Sequence, residues 1–258
     1  MTLPPAIRGA RAALIFLTRI PVGGFPYRPA DWRWSTAYFP WVGLLLGAVL
    51  AGFWQLCAPL LGARITALLS VGLHLLLTGA FHEDGLADSA DAMGGAFERE
   101  RLLEILKDSR IGTFGAAALF CVLALRAMGL AELDRHAPLA LLLSQCLART
   151  PPIWLMVALP YATGEDRAKS RDVSRAQWPQ ALLASLWPAG LLAGLVSLRM
   201  LHLMDLLYLL AATTSVTLLC GWRFWRRAQG ITGDFLGATE QVVEVTTLLV
   251  LLARLRTP

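Results

Sequence analysis

Long apolar runs, separated by short polar segments, cover most of the chain. Seven of these runs approach the roughly 20 residues that a helix needs to cross a bilayer. They lie at about Ser35–Leu61, Ile65–Phe81, Gly112–Leu133, Pro138–Pro160, Pro179–Leu198, Leu203–Gly221 and Ala238–Leu252. The pattern predicts an all-α fold: a polytopic integral membrane helical bundle with about seven transmembrane helices. No polar segment is long enough to form a separate soluble domain, so we expect one membrane-embedded domain over residues 1–258.

Two apolar stretches depart from a simple spanning helix. Ile7–Ile20 is too short to cross a membrane and carries three arginines, which is typical of an interfacial helix. The fourth run is interrupted at Arg149–Pro152, where two prolines remove backbone donors. In the first run, we expect Gly43, Gly47 and Gly52 to let a neighbouring helix approach closely.

The composition agrees with a membrane protein. Hydrophobic residues make up 56% of the chain and charged residues 16%, whereas soluble domains carry about 25% charged residues. The net charge of +5 is weak evidence for a nucleic-acid partner, because membrane topology itself requires basic loops. With the N-terminus inside, sixteen of the 23 Lys and Arg residues lie in inner segments and five in outer segments. This bias predicts that every polar motif faces the cytoplasm of a bacterial inner membrane.

The segment from His82 to Asp91 holds the most distinctive polar pattern. Asp84, Asp88 and Asp91 are spaced i, i+4 and i+7, so on a helix they fall on one strip about 60° wide. The three charges repel one another, and a divalent cation would remove that repulsion. An oxygen-only ligand set suits Mg²⁺, or Mn²⁺, better than Zn²⁺. The alternative is a solvated acidic turn, but the apolar run directly before these residues favours a metal site.

Basic residues near this acid strip indicate phosphate chemistry, in which a metal ion neutralises oxygens and cations stabilise the transition state. Lys107 and Arg110 follow the strip, although Lys107 also fits an ordinary surface lysine at a helix end. Arg149 interrupts an apolar run, where a charge is costly and usually faces a polar cavity. His82 adjoins the strip and either orients a carboxylate, acts as a base or is merely interfacial.

Further acids lie beside glycines. Asp108 precedes Gly112 and Gly115, whose small size would let backbone N–H groups approach an anion near a helix start. Asp108 also fits a helix cap, and that role is compatible with a second one. Asp234 follows a glycine in the same way, and we expect it to belong to the site.

Ionisable residues inside the spans would indicate a different class of protein, a cation-coupled transporter. Glu240 and Glu244, near the predicted start of the last span, either complete the acid cluster or sit at the membrane surface. His74 is isolated in an apolar run and is not expected to take part. Because the acids cluster at span ends on one face, the transporter is the less favoured alternative.

Five stretches of the sequence carry distinctive motifs. The two most specific are FHEDGLADSAD at Phe81–Asp91 and LEILKDSRIGTFG at Leu103–Gly115. The others are FLTRIPV at Phe16–Val22, YFPWVG at Tyr38–Gly43 and TGDFLGA at Thr232–Ala238. Together they resemble the adenosylcobinamide-GDP ribazoletransferase (cobalamin synthase) family. The resemblance extends over nearly the whole chain, although the middle and the last two loops match only in character.

The resemblance implies a magnesium-dependent inner-membrane enzyme of cobalamin biosynthesis. It would join adenosylcobinamide-GDP to α-ribazole or its phosphate, giving adenosylcobalamin or its phosphate and releasing GMP. Homo-oligomers or other cobalamin-pathway proteins are further expected partners. The expected catalytic residues are His82, Lys107, Arg110 and Arg149, and the expected metal ligands are Asp84, Asp88, Asp91, Asp108 and Asp234.

A weaker similarity points to the membrane CDP-alcohol phosphotransferases, which also break a pyrophosphate beside an acidic strip. Their motif has an arginine after the alanine and a second acid pair at fixed spacing. Here Asp88 directly follows Ala87, so this family is only the alternative reading.

Overall fold

A computed structural model describes residues 5–23, 27–162 and 176–255 of the chain. Its regular structure in these residues is helical, apart from one isolated bridge between Tyr161 and Ile231. The predicted all-α fold is therefore confirmed. The predicted basic loop, which holds Arg167, Lys169, Arg171 and Arg175, lies outside the described residues.

The α-helices follow one another with short connections. They are α1 (Pro5–Leu17), α2 (Pro29–Ser35), α3 (Phe39–Thr78), α4 (Phe81–Gly95), α5 (Arg99–Ile105), α6 (Thr113–Leu133), α7 (Ala137–Ala148), α8 (Pro151–Ala158), α9 (Trp178–Ser197), α10 (Leu203–Ala228) and α11 (Gly233–Leu255). Two 3₁₀ turns, Thr36–Tyr38 and Asp134–His136, precede α3 and α7. The short α4 and α5 separate the long apolar helices, and α4 together with the loop after α5 carries seven of the nine predicted site residues.

Five helical stretches in the described residues are long and apolar enough to cross a membrane. They are Pro29–Thr78, Thr113–Ala158, Trp178–Ser197, Leu203–Ala228 and Gly233–Leu255. The chain is therefore a multi-pass membrane protein, but the predicted number of seven crossings is not confirmed. The first two stretches are 50 and 46 residues long and are interrupted. In α3 the backbone is non-helical at Gly62 (φ 76°, ψ 160°), and a 3₁₀ turn separates α6 from α7.

The most extensive helix pairing joins α3 to α7. A Cβ atom on Gly43 would overlap the backbone carbonyl of Gln145, and one on Gly47 would lie 2.7 Å from the carbonyl oxygen of Leu141. The predicted close approach at these two glycines is thus confirmed. At Gly52 the prediction is wrong, because an added Cβ would meet nothing within 4 Å among the described residues.

Helix α4 lies against α6 and α11, and two glycines make the contact with α11 tight. A Cβ on Gly85 would lie 2.9 Å from the backbone oxygen of Asp234, and one on Gly237 would lie 3.2 Å from that of His82. Most of α11 is buried, so it forms the centre of the bundle. The acid strip is therefore fixed to the central helix of the fold.

Helix α1 packs against α2 and α3. Ala12, Ala13 and Leu17 are almost completely buried, and Phe16 stacks on Phe39 with ring centroids 5.6 Å apart. A short, non-spanning helix was predicted here, and a 13-residue helix is found. Its apolar face covers other helices of the protein.

Candidate active site

The acid strip lies on α4, which ends at two consecutive glycines, Gly94 and Gly95. Asp84 is exposed, whereas Asp88 and Asp91 are half-buried. The carboxylate of Asp91 accepts hydrogen bonds from the backbone N–H groups of Gly112 (2.7 Å) and Gly115 (2.8 Å). It therefore satisfies free donors at the start of α6. Added Cβ atoms at these glycines would overlap the carboxylate, which explains why both positions are glycine.

The loop between α5 and α6 brings the basic residues to the strip. Arg110 donates to Asp108 through Nε (3.0 Å) and Nη2 (2.7 Å), and its own backbone N–H donates to the same carboxylate. These hydrogen bonds and the charge of Arg110 lower the pKa of Asp108 to about 2. Lys107 is exposed in the same loop. Both predicted cations thus lie in the loop whose end, at Gly112, contacts Asp91, and Arg110 is already bound to a carboxylate.

Asp234 opens α11 beside the strip. Its backbone contacts Gly85, as described above, which places it next to the segment between Asp84 and Asp88. Burial and the nearby Asp234 charge raise the pKa of the Tyr161 hydroxyl, so that this group stays protonated. Tyr161 belongs to the bridge in which the Ile231 N–H donates to Pro160.

The predicted five-carboxylate metal site is not assembled as a cluster. Among the described residues, no group of three or more His, Cys, Asp and Glu side chains could hold a metal ion. Asp91 and Asp108 already accept hydrogen bonds from other groups. On the same strip Asp84 is exposed and Asp88 is half-buried. This arrangement fits Mg²⁺, which proteins commonly bind with one or two carboxylates together with phosphates of the substrate.

Arg149 lies at the break between α7 and α8, as predicted, but its side chain is only 1% exposed. Its Nη1 donates to the backbone and side-chain oxygens of Gln145, both at 2.8 Å, and lies 3.1 Å from Glu240 Oε1. The guanidinium therefore points into the bundle, where it neutralises a carboxylate of α11.

A second buried arginine, Arg126, joins this network from α6. Its Nη1 donates to Glu83 (2.7 Å), its Nη2 lies 2.6 Å from His74, and its Nε lies 2.9 Å from Glu244. Gln145 bonds to the same Glu244, which connects the two arginines. Five helices thus contribute to one buried ionic network: α3, α4, α6, α7 and α11.

Three members of this network were missed by sequence reasoning. Glu83 and Arg126 had no predicted role, and His74, which the sequence suggested was isolated, has Arg126 and Glu83 as partners. The sequence did carry a signal for Arg126, since a charge within an apolar run is as costly there as at Arg149. Glu240 and Glu244 also lie deeper than predicted, because α11 begins at Gly233. The expectation that the acids sit only at span ends is therefore wrong.

His82 connects the network to the strip. It is buried, and its Nδ1 lies 3.5 Å from Glu240 Oε2. Burial and the charge of Arg149 lower the pKa of His82 to about 3, so the ring is neutral. His82, Arg149 and Glu240 line one side of a pocket whose other walls come from α1, α3, α8 and the start of α11. The predicted residues therefore divide between an open acidic face and an adjacent buried pocket.

Comparison with known proteins shows which family and which relatives the chain matches. Residues 9–252 match the model of the family described as cobalamin-5-phosphate synthase. Two similar proteins, each named adenosylcobinamide-GDP ribazoletransferase, come from Albidiferax ferrireducens (40% identical, covering 94% of this chain and 96% of the relative) and Vibrio cholerae (39%, covering 95% and 93%). A third of that name, from Rhizobium etli, is 40% identical and covers 95% of this chain and 96% of its own. No solved structure matches significantly.

Proposed function

Because the chain belongs to the cobalamin-5-phosphate synthase family, we propose that it acts at the face formed by α4, the α5–α6 loop and the start of α11. The chain is a transferase of cobalamin biosynthesis that catalyses the final synthesis step. Its substrates are adenosylcobinamide-GDP and ribazole. The observation that carries the location is the strip of Asp84, Asp88 and Asp91 on α4, because Asp91 contacts the start of α6 and Gly85 contacts Asp234 of α11.

In the proposed reaction a ribose hydroxyl of ribazole, or of its phosphate, attacks the phosphorus that bears the cobinamide arm. A new P–O bond forms, the pyrophosphate bond breaks, and GMP leaves with the bonding electron pair. The hydroxyl proton is lost to a base or to water. The reaction concentrates negative charge on phosphoryl oxygens, so the site must supply positive charge.

Asp84 and Asp88 would hold Mg²⁺, or Mn²⁺, together with the substrate pyrophosphate. The ion would neutralise phosphate oxygens and polarise the attacked phosphorus. Asp234 lies close enough in the fold to act as a further ligand, since its backbone packs on Gly85. Asp91 shapes the site by holding the start of α6, and Asp108 does so by orienting Arg110.

The cations have separate roles in this proposal. Lys107 and Arg110 lie on the exposed loop, where they can reach a phosphate that approaches from solution. Arg149 is buried against Glu240 and lines the pocket. It would hold the Glu240 carboxylate in place and contact only the part of a substrate that enters the pocket. His82 is neutral and joins the pocket to the strip.

We further propose that the protein lies in a bacterial inner membrane and that this face is on the cytoplasmic side. The bias of Lys and Arg toward the inner segments supports this orientation. The Arg99 side chain donates to the backbone oxygens of Ala162 and Ala228, so the segments that follow α4, α8 and α10 lie on one side.

The test is release of GMP by the purified full-length protein from adenosylcobinamide-GDP, ribazole and Mg²⁺. We expect Asp84→Ala and Asp88→Ala to lower the rate by at least about 100-fold, because each removes a charge that holds the metal. Glu100→Ala is the matched control, since its carboxylate is 79% exposed on α5, and it should keep the wild-type rate. Near-normal turnover of either aspartate variant at saturating Mg²⁺ would exclude that residue as a ligand.

A further inference from the structure

An arginine beside the acid strip has no role in the reaction described above. Arg19 follows α1 and is exposed. Its guanidinium lies on the turn between α3 and α4, because a Cβ atom on Gly79 would overlap Nε of Arg19 and lie 2.9 Å from its Cζ and Nη2. Gly79 also has a left-handed backbone (φ 68°), so both its conformation and the arginine favour glycine there. The fold thus makes room for this charge.

The backbone around Arg19 is held in place. Its N–H donates to the backbone oxygen of Leu77 at 2.7 Å. The neighbouring Thr18 is buried, and its hydroxyl donates to the backbone oxygen of Leu14 and accepts from the N–H of Ile20. The arginine is therefore presented from a fixed segment, so little backbone freedom is lost when its side chain binds a ligand.

The turn that Arg19 covers extends the acid strip at its N-terminal end. Ala80 precedes Asp84 by four residues, which is about one helical turn, and the Asp84 N–H donates to its backbone oxygen at 2.9 Å. At the opposite end of the strip, Asp91 contacts the start of α6, where the basic α5–α6 loop ends. Positive side chains therefore lie near both ends of the strip.

Arg19 differs from other arginines near the site because its charge is not neutralised by a carboxylate. Arg110 is bound to Asp108, and Arg149 lies 3.1 Å from Glu240. No carboxylate of the described residues forms an ion pair with Arg19. An exposed guanidinium of this kind can bind an anion, and its planar fork of donors matches two oxygens of a phosphate.

We propose that Arg19 binds the phosphate of ribazole phosphate, an inference that rests on the proposed function. The proposed reaction accepts ribazole or its phosphate, and the phosphate of the second acceptor does not react. Such a group carries about 1.5 to 2 negative charges at pH 7. The metal ion and the cations of the α5–α6 loop serve the pyrophosphate, so the unreactive phosphate needs a cation of its own. Arg19 supplies it and makes the phosphorylated acceptor the preferred one.

The two acceptors provide an internal test, because they differ only in the phosphate that Arg19 binds. GMP release by the full-length protein in lipid nanodiscs is measured with each acceptor at saturating adenosylcobinamide-GDP and Mg²⁺. We expect the wild-type protein to have the higher kcat/KM with ribazole phosphate. Arg19→Ala should lower that value at least about tenfold, mainly through KM, and change the value for ribazole by less than about twofold.

Two further variants control for charge and for surface effects. Arg19→Lys keeps the charge but not the fork, so it should lose less than Arg19→Ala with ribazole phosphate. Arg64→Ala is the matched control, because Arg64 is an exposed arginine near the non-helical residue Gly62 of α3. It should match the wild-type protein with both acceptors.

Equal losses with both acceptors would indicate a structural role for Arg19 and overturn the proposal. Unchanged kinetics of Arg19→Ala would also overturn it. A rise in KM for adenosylcobinamide-GDP would assign Arg19 to the pyrophosphate instead, against the proposal. Should Arg19→Ala fail to fold, Arg19→Gln provides the same comparison with a polar side chain that lacks the charge.

Calorimetric titration with ribazole phosphate alone separates this inference from the proposed function. Absence of GMP release from the wild-type protein with either acceptor would contradict the proposed function. The binding role of Arg19 then stands only if ribazole phosphate binds the wild-type protein at least about tenfold more tightly than Arg19→Ala. Equal binding by the two proteins would overturn it.

Discussion

At the scale of single residues, the main feature is full charge buried inside apolar helices. Arg126 and Arg149 are 2% and 1% exposed, and an arginine at the centre of a membrane helix costs at least about 2.5 kcal/mol. The cost is offset because each guanidinium contacts a carboxylate and other acceptors. Three glutamates face these two arginines, so the network is held by mutual pairing across helices.

Removal of Arg126 should be strongly destabilising, since it leaves Glu83 and Glu244 buried without their cation. We expect Arg126→Leu to lose about 3 to 5 kcal/mol of unfolding free energy, measured by thermal or denaturant unfolding in micelles. Arg101→Leu is the control, because its pair with Glu104 is about 65% exposed and contributes less than about 1 kcal/mol. Equal losses in the two variants would show that the buried network does not stabilise the fold.

Replacement of Arg149 by lysine tests whether its positive charge is sufficient or whether the planar guanidinium group is needed. Lysine keeps the positive charge but cannot reproduce a guanidinium that meets both Gln145 and Glu240. We expect Arg149→Lys to fold and to lose at least about tenfold in GMP release, or about 1.4 kcal/mol of transition-state stabilisation. Full activity of Arg149→Lys, together with an active and more stable Arg149→Leu, would show that the guanidinium is dispensable.

At the scale of helices, the close pairing of α3 with α7 has a direct test. Gly43→Ala would press a methyl group against the backbone of Gln145, which cannot move without shifting α7. We expect a loss of about 1 to 3 kcal/mol in unfolding free energy. Gly52→Ala, in the same helix but facing open space, should instead be neutral or stabilise by up to about 1 kcal/mol. The same thermal unfolding assay compares them, and a tolerated Gly43→Ala would contradict the tight contact.

Helix positions were predictable where the signal was local. The end of α4 at its two glycines and the break between α7 and α8 at Arg149 follow from breakers in the sequence. Two predicted helix ends were wrong, and both for the same reason. The predicted sixth span ends at Gly221, but α10 continues to Ala228, and α11 begins at Gly233 instead of Ala238. Hydropathy marks only the apolar part of a helix, whereas backbone hydrogen bonding continues into its polar turns.

The candidate site was predictable only in part, for the same physical reason. Spacing along one helix places Asp84, Asp88 and Asp91 on a strip without further information. This spacing does not show that Asp91 accepts a hydrogen bond from the backbone at the start of α6. Nor does it show the partners of Arg126, because its contact with Gln241 joins residues 115 positions apart. Such pairings are decided by how whole helices pack.

At the scale of the molecule, several polar segments of the described residues lie together at one end of the bundle. Arg227 donates to the backbone oxygens of Met93 and Ala96, so the end of α10 lies beside the end of α4. The turn before α10 lies at the other end of that 26-residue helix. This placement is compatible with the proposed cytoplasmic orientation, which rests on the positive-inside rule.

Single-cysteine labelling in a cysteine-free background tests this orientation. We expect a membrane-impermeant reagent to leave Ser109→Cys and Gln229→Cys unlabelled in whole cells and to label both after the cells are opened. Arg199→Cys, in the turn before α10, should be labelled in whole cells and serves as the control. Labelling of Ser109→Cys from outside would contradict a cytoplasmic active site.

The buried network also has a consequence for biogenesis. Synthesis proceeds from the N-terminus at about 5 to 20 residues per second, so Arg126 precedes Glu244 at the ribosome by roughly 5 to 25 seconds. During that interval two arginines enter the membrane region before the carboxylates of α11 exist. Glu83 and His74 are already present and can contact Arg126, but Arg149 must be solvated by water, lipid phosphates or the insertion machinery until α11 is made. The charges of the nascent chain therefore reach their native balance only when α11 has been made and packed.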